Sequence, residues 1–245
     1  ILVFKSDFLI IRIIPNILTL LNLFLGCIIV LLLIEDNLSM QSISYLILIA
    51  LFFDFMDGLI ARKFNMESKL GAQLDSLADL ISFGLVPGII MYKLFMEVSL
   101  DPFLPLLGFL ITLASAYRLA NFNLSNNQLK YFKGLPTPAN TIFILSLMLI
   151  VESSNNLFIS EVIVSNNFLI FITILSCYLL NSRFKLINLK FKDFNFKGLN
   201  KYRILLVLVS LTLLVVVKEA SIPIILVIYY IVSYFTLRRV EYRSN

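Results

Sequence analysis

Apolar runs long enough to cross a lipid bilayer recur from one end of this 245-residue chain to the other, and they leave little room for any other class of fold. A hydrocarbon core about 30 Å thick needs roughly 20 helical residues to cross it. Such runs lie near 13 to 34, 40 to 61, 72 to 97, 102 to 121, 137 to 152, 162 to 182, 203 to 218 and 221 to 238, the fifth and seventh being the shortest. Hydrophobic residues make up 60% of the chain and charged residues 14%, where a soluble domain carries about a quarter charged. The expected fold is all-α: a polytopic membrane protein with about eight transmembrane helices. The first apolar run has no small-residue cleavage pattern after it and further spans follow directly, so it reads as a retained helix and not a signal peptide.

The distribution of basic residues orients these spans. With a cytoplasmic N-terminus, 18 of the 20 Lys and Arg residues fall in segments on the inner side, leaving only Lys93 and Lys218 outside. That asymmetry is the positive-inside pattern, and it accounts for the pI near 9.2 without invoking nucleic acid. No basic soluble face with groove-reading elements is present, so a nucleic-acid partner is not expected. The basic and aromatic stretch from 183 to 203 reads either as an interfacial strip against anionic lipid or as a solvated linker. The expected organisation is a membrane domain of six helices over 1–182, that basic cytoplasmic linker, and two further helices with a basic tail over 204–245.

The chain has no histidine and two cysteines, Cys27 and Cys177, both inside apolar runs. Imidazole chemistry and most zinc sites are thereby excluded, and the cysteines offer neither a disulfide framework nor metal-ligand spacing. Chemistry here must run on carboxylates, amines and hydroxyls.

Four carboxylates sit where they are expensive. Asp54 and Asp57 are three apart near the inner end of the second run, and Asp75 and Asp79 four apart near that of the third. Each pair shares a helical face, and the short connection between the runs lets the two faces converge. Ionisable residues within spans usually mark a site. Unpaired, four such charges would repel; an all-oxygen donor set suits a hard divalent cation such as Mg2+ or Mn2+. Two ions some 3.5–4 Å apart would form a clamp for a diphosphate. Gly58, Ala61 and Gly71 leave space for close approach of a ligand, or serve close helix packing. Arg62 adds a fixed cation nearby.

From Asp54 to Asp79 the sequence DFMDGLIARKFNMESKLGAQLDSLAD fits D-x2-D-G-x2-A-R-x8-G-x3-D-x3-D at every fixed position. This resembles the signature of the CDP-alcohol phosphotransferases. The resemblance implies a two-metal site with Asp54, Asp57, Asp75 and Asp79 as ligands and Asp79 also as general base. It further implies that Gly58, Ala61, Arg62 and Gly71 line a pocket for CDP-diacylglycerol, and that the protein is a homodimer.

Four other segments bear on the acceptor. They are IPNILTLLNLFLG with Asn16 and Thr19 at the inner mouth of the first run, SLADLISFGLVPG at 76 to 88, YRLANFN at 117 to 123, and FKGLPTPAN at 132 to 140. They resemble the phosphatidylserine synthases of bacteria and archaea within that family, over roughly the first 140 residues. The implied reaction is phosphatidyl transfer to L-serine in phospholipid synthesis at the inner face of the cell membrane. Asn16 and Thr19 then join the donor pocket. Arg118 is suited either to holding a serine carboxylate in bidentate fashion or to anchoring its helix at the inner interface. Asn123 is the second candidate serine contact. Glycerol 3-phosphate or inositol phosphate as acceptor is the nearest alternative, and an ion-coupled transporter the remote one.

Overall fold

The computed structural model describes residues 13–36, 38–124, 132–153, 157–187 and 199–244. Most of the basic 183–203 stretch lies outside these residues. The chain forms two compact units, Ile1–Asn126 and Asn127–Asn245.

The first unit holds α1 (Ile14–Glu35), α2 (Met40–Lys63), α3 (Lys69–Met96) and α4 (Leu104–Leu124). On α1 the buried residues are Pro15, Thr19, Asn22, Gly26, Ile29 and Leu33, while Ile17, Leu20, Phe24, Leu31 and Ile34 are exposed. Over the first half of the helix, small and polar groups thus face inward and bulky apolar ones outward, and Ile29 and Leu33 continue the buried face. Water would not tolerate that arrangement; lipid favours it, because helices associate there by close packing and hydrogen bonds.

Local chemistry sets the helix ends. Pro15 stands in the first turn of α1, where its missing N–H costs nothing. The helix stops at Asp36, whose φ of 57° is left-handed and whose N–H returns to Leu32 O at 3.2 Å. Ser39 caps α2, accepting from Ser42 N, and Ser68 caps α3, accepting from Gly71 N at 2.9 Å. The turn between them passes through Asn65 at φ 53°.

Helix α3 is not regular. A π-helical turn, Leu80–Leu85, begins directly after Asp79. Pro87 follows it and has no N–H to return to the preceding turn, so the widened register absorbs the lost bond. Thr112 on α4 donates its hydroxyl to Gly84 O in this stretch at 3.0 Å. Beside it, the helices meet backbone to backbone. A Cβ on Gly108 would lie 2.6 Å from Tyr92 N and 2.7 Å from Gly88 O, so α3 and α4 can pack here only through glycine.

The second unit holds α5 (Thr137–Ser153), α6 (Leu157–Ile163), α7 (Asn166–Asn181), α8 (Leu199–Val217) and α9 (Ser221–Ser244). A two-residue antiparallel ladder pairs β1 (Phe132–Lys133) with β2 (Lys185–Leu186). Gly134, at φ 70°, follows β1 with its N–H on Phe184 O at 3.0 Å. Ser233 and Tyr229 of α9 hold the end of β2, donating and accepting around Ile187: Ile187 N reaches Ser233 Oγ at 3.2 Å, and Tyr229 donates to Ile187 O at 2.7 Å. Lys218, at φ 48°, breaks the apolar stretch 200–238 into α8 and α9, which pack on each other.

Among the described residues five stretches are long and apolar enough to cross a membrane, and α5 and α7 are shorter apolar helices. The protein is all-α and polytopic. The expected span 162 to 182 is shorter than its hydropathy suggests. Ser165 interrupts it, accepting from Phe168 N at 3.4 Å as the cap of α7, and α6 is a separate short helix before it.

Candidate active site

The short turn after α2 brings its C-terminal end beside the start of α3, and the two carboxylate pairs meet there. Donor atoms of Asp54, Asp57 and Asp75 all lie within 4.8 Å of one another. Asp54 is in hydrogen-bonding reach of both Asp75 and Asp79. Asp79 stands outside the close triple, deeper along α3; it is 9% exposed, and its Oδ1 is buried with no hydrogen-bond partner in the protein.

These residues fit a divalent cation. Three convergent carboxylates supply hard oxygen donors at the separation one ion can span, and the orphaned Asp79 oxygen is an acceptor that the protein itself does not satisfy. The triple could therefore hold a metal ion.

Helix α1 closes one side of the cluster. Thr19, 3% exposed, donates its hydroxyl to Asp57 Oδ2 at 2.5 Å, with Pro15 O the alternative acceptor at 3.0 Å. Asp57 is itself 4% exposed, so this bond fixes a buried carboxylate. Asn16, one turn earlier, adjoins the start of α3: a Cβ on Gly71 would come within 3.0 Å of its Oδ1. Asn16, Thr19 and Gly71 are thus brought to the cluster together.

Gly58 and Arg62 are one turn apart on α2. A Cβ on Gly58 would meet the Arg62 guanidinium at 3.3 Å. The glycine lets the long side chain fold back along its own helix, where it adds positive charge beside Asp54, Asp57 and Asp75. Ala61 is half-buried next to it.

The two candidates on α4 have different surroundings. Arg118 is half-buried. Asn123 is tied to α3, donating Nδ2 to Ser76 Oγ at 2.9 Å and to Gln73 Oε1 at 3.3 Å. It therefore holds α4 against the residue next to Asp75.

Two polar residues at this site were not evident from spacing. Asn22 is fully buried on the α1 face that carries Thr19, and Ser82, 1% exposed, donates to Asn22 O at 3.0 Å. The signal was present as Thr19, Asn22 and Gly26 at three- and four-residue steps within an apolar run.

The sequence model of the family described as CDP-alcohol phosphatidyltransferase matches residues 12–234. Among individual relatives, the CDP-diacylglycerol–serine O-phosphatidyltransferase of Saccharomyces cerevisiae is 38% identical over 116 residues, covering 44% of this chain and 41% of the relative. The Bacillus subtilis protein of the same name is 34% identical over 129 residues, or 51% of this chain and 69% of the relative. That of Helicobacter pylori is 29% identical over 204 residues, 82% of this chain and 81% of the relative. The chain thus matches well under two thirds of the yeast protein's length.

Proposed function

Because this chain belongs to the CDP-alcohol phosphatidyltransferase family, we propose that it transfers the phosphatidyl group of CDP-diacylglycerol to the hydroxyl of L-serine, giving phosphatidylserine and CMP. The observation that carries this reading is the convergence of Asp54, Asp57 and Asp75 within 4.8 Å on two apolar helices, with Asp79 buried behind them. The names of the relatives support serine as the acceptor.

Two divalent ions, Mg2+ or Mn2+, held by Asp54, Asp57, Asp75 and Asp79, would supply charge neutralisation for the diphosphate and for the departing CMP. The remaining work belongs to side chains. Arg62 faces the donor phosphates as a fixed cation. Asn16, Thr19, Gly58, Ala61 and Gly71 shape the nucleotide pocket, the glycines letting backbone approach the ligand. Arg118 takes the serine carboxylate in a bidentate pair, and Asn123 borders the acceptor site while holding α4 to Ser76.

Asp79 removes the serine hydroxyl proton as that oxygen bonds to the phosphorus bearing the diacylglycerol. The bond from that phosphorus to the CMP oxygen breaks, and CMP leaves with the electron pair. Deep burial of Asp79 shields the proton transfer from bulk water.

The distribution of Lys and Arg supports a site facing the cytoplasm in the cell membrane. We assign catalysis to the helices within 1–182, treat 183–203 as a basic linker and 204–245 as an added helical hairpin with its tail, and take the working unit to be a homodimer.

The test is purified protein in detergent with CDP-diacylglycerol, Mg2+ or Mn2+, and a panel of alcohols, with CMP release followed. Serine-dependent release supports the reading. Release driven by glycerol 3-phosphate or inositol phosphate and not by serine overturns the acceptor while leaving the class intact.

A further inference from the structure

Asn22 is 0% exposed, and neither its Oδ1 nor its Nδ2 meets a hydrogen-bond partner in the protein. Buried amides are almost always paired, and leaving both ends unsatisfied is costly. An apolar residue of similar size would avoid that cost.

The surroundings of Asn22 indicate its partner. Thr19, one turn earlier on the same face of α1, bonds Asp57. On the facing helix, Ser82 Oγ donates to the Asn22 backbone oxygen at 3.0 Å. Gly26, one turn later, lies so close to Ser82 that a Cβ would stand 3.1 Å from its Cα and its N. Helix α1 therefore runs tightly against the part of α3 that starts at Asp79, and Asp79 and Ser82, three apart, share that side. Asp79 Oδ1 is buried there without a donor.

We infer that Asn22 is a positioning residue for Asp79: the two groups do not bond each other in the structure as it stands, and in the loaded enzyme the Asn22 Nδ2–H turns to the Asp79 oxygen that lacks a donor and fixes the plane of that carboxylate. One turn of α1 then holds two aspartates, Thr19 orienting Asp57 and Asn22 orienting Asp79. Groups that orient metal ligands and catalytic carboxylates in this way typically contribute about 10–100-fold in metal affinity or activity. The inference rests on the proposed function for the role it gives Asp79.

The experiment is a double-mutant cycle on the full chain with two readouts, CMP release and calorimetric Mn2+ titration of the metal-free protein. Asn22→Leu is expected to lower kcat by about 10–100-fold with little change in KM for either substrate, and to weaken Mn2+ binding. In an Asp79→Asn background the same substitution is expected to have no further effect on Mn2+ affinity. Equal losses in both backgrounds, no loss in either, or a raised KM for the acceptor with kcat intact would each overturn it. If Asn22→Leu does not yield folded protein, Asn22→Ala removes the amide without adding bulk and takes its place. The Mn2+ titration needs no substrate, so it judges Asn22 whichever alcohol the protein uses; a wild type indifferent to serine counts against the acceptor assignment alone.

Discussion

Thr19 donates its hydroxyl to Asp57 Oδ2 at 2.5 Å, across 38 residues of sequence and with both side chains buried. It joins the mouth of α1 to the acidic cluster and fixes one oxygen of Asp57, whose carboxylate lies with those of Asp54 and Asp75. Thr19→Val keeps the shape and removes the donor. The expected result is Mn2+ affinity lowered about 10-fold or more, measured by calorimetry, with the folded state destabilised by only about 1 kcal/mol.

Gly26 and Gly58 separate packing from ligand space. At Gly26 a methyl group would collide with Ser82, whose Cα and N are backbone atoms 3.1 Å away. Gly26→Ala is therefore expected to destabilise by about 1–3 kcal/mol and to lower the melting temperature. At Gly58 the nearest atom is the tip of the Arg62 side chain, at 3.3 Å, which can swing aside. Gly58→Ala is expected to change stability by only about 0.5 kcal/mol while raising KM for CDP-diacylglycerol. Thermal melts and donor saturation curves on both variants check the contrast.

Far along α1 from the cluster, Lys93 pairs with Asp36 and donates to Leu33 O at 2.9 Å. It caps the end of α1 with a cation from α3, a favourable place for positive charge. The Lys93 side chain is 19% exposed and that of Asp36 72%, so screening keeps the pair weak. Lys93→Met is expected to cost about 1 kcal/mol or less and to leave CMP release unchanged, which a melt and a rate measurement together decide.

Chelation supplies the complementary test. Four carboxylates on two apolar helices repel one another when no cation is bound. EDTA is expected to abolish CMP release and lower the melting temperature, and Mg2+ or Mn2+ to restore both. Calcium, larger and more loosely coordinated, is expected to restore the melt better than the rate.

What the sequence revealed follows from which interactions are local. Apolar length set the spans, and the three- and four-residue steps of Asp54, Asp57, Asp75 and Asp79 placed the carboxylates on facing turns, since helical geometry alone decides both. The π turn after Asp79 was not legible, because it depends on Pro87 and on Thr112 from another helix acting together. The pairing of Phe132–Lys133 with Lys185–Leu186 is too short to have a period. Asn123 reads in the sequence as a candidate serine contact, and its bonds to Ser76 and Gln73 depend on the packing of α4 on α3, which spacing does not show. Asn22 is a single polar residue in an apolar run, and only the packing of α1 on α3 gives its burial a meaning.

In the proposed mechanism Asp79 is the base of a divalent-metal phosphotransfer site, and the decisive variant is Asp79→Asn. The variant is close to isosteric and removes the basic oxygen. The rate of serine-dependent CMP release with saturating Mn2+ should fall by about 10²–10⁴-fold, while the melting profile stays that of a folded protein. Turnover near the wild-type rate would rule out Asp79 as the base.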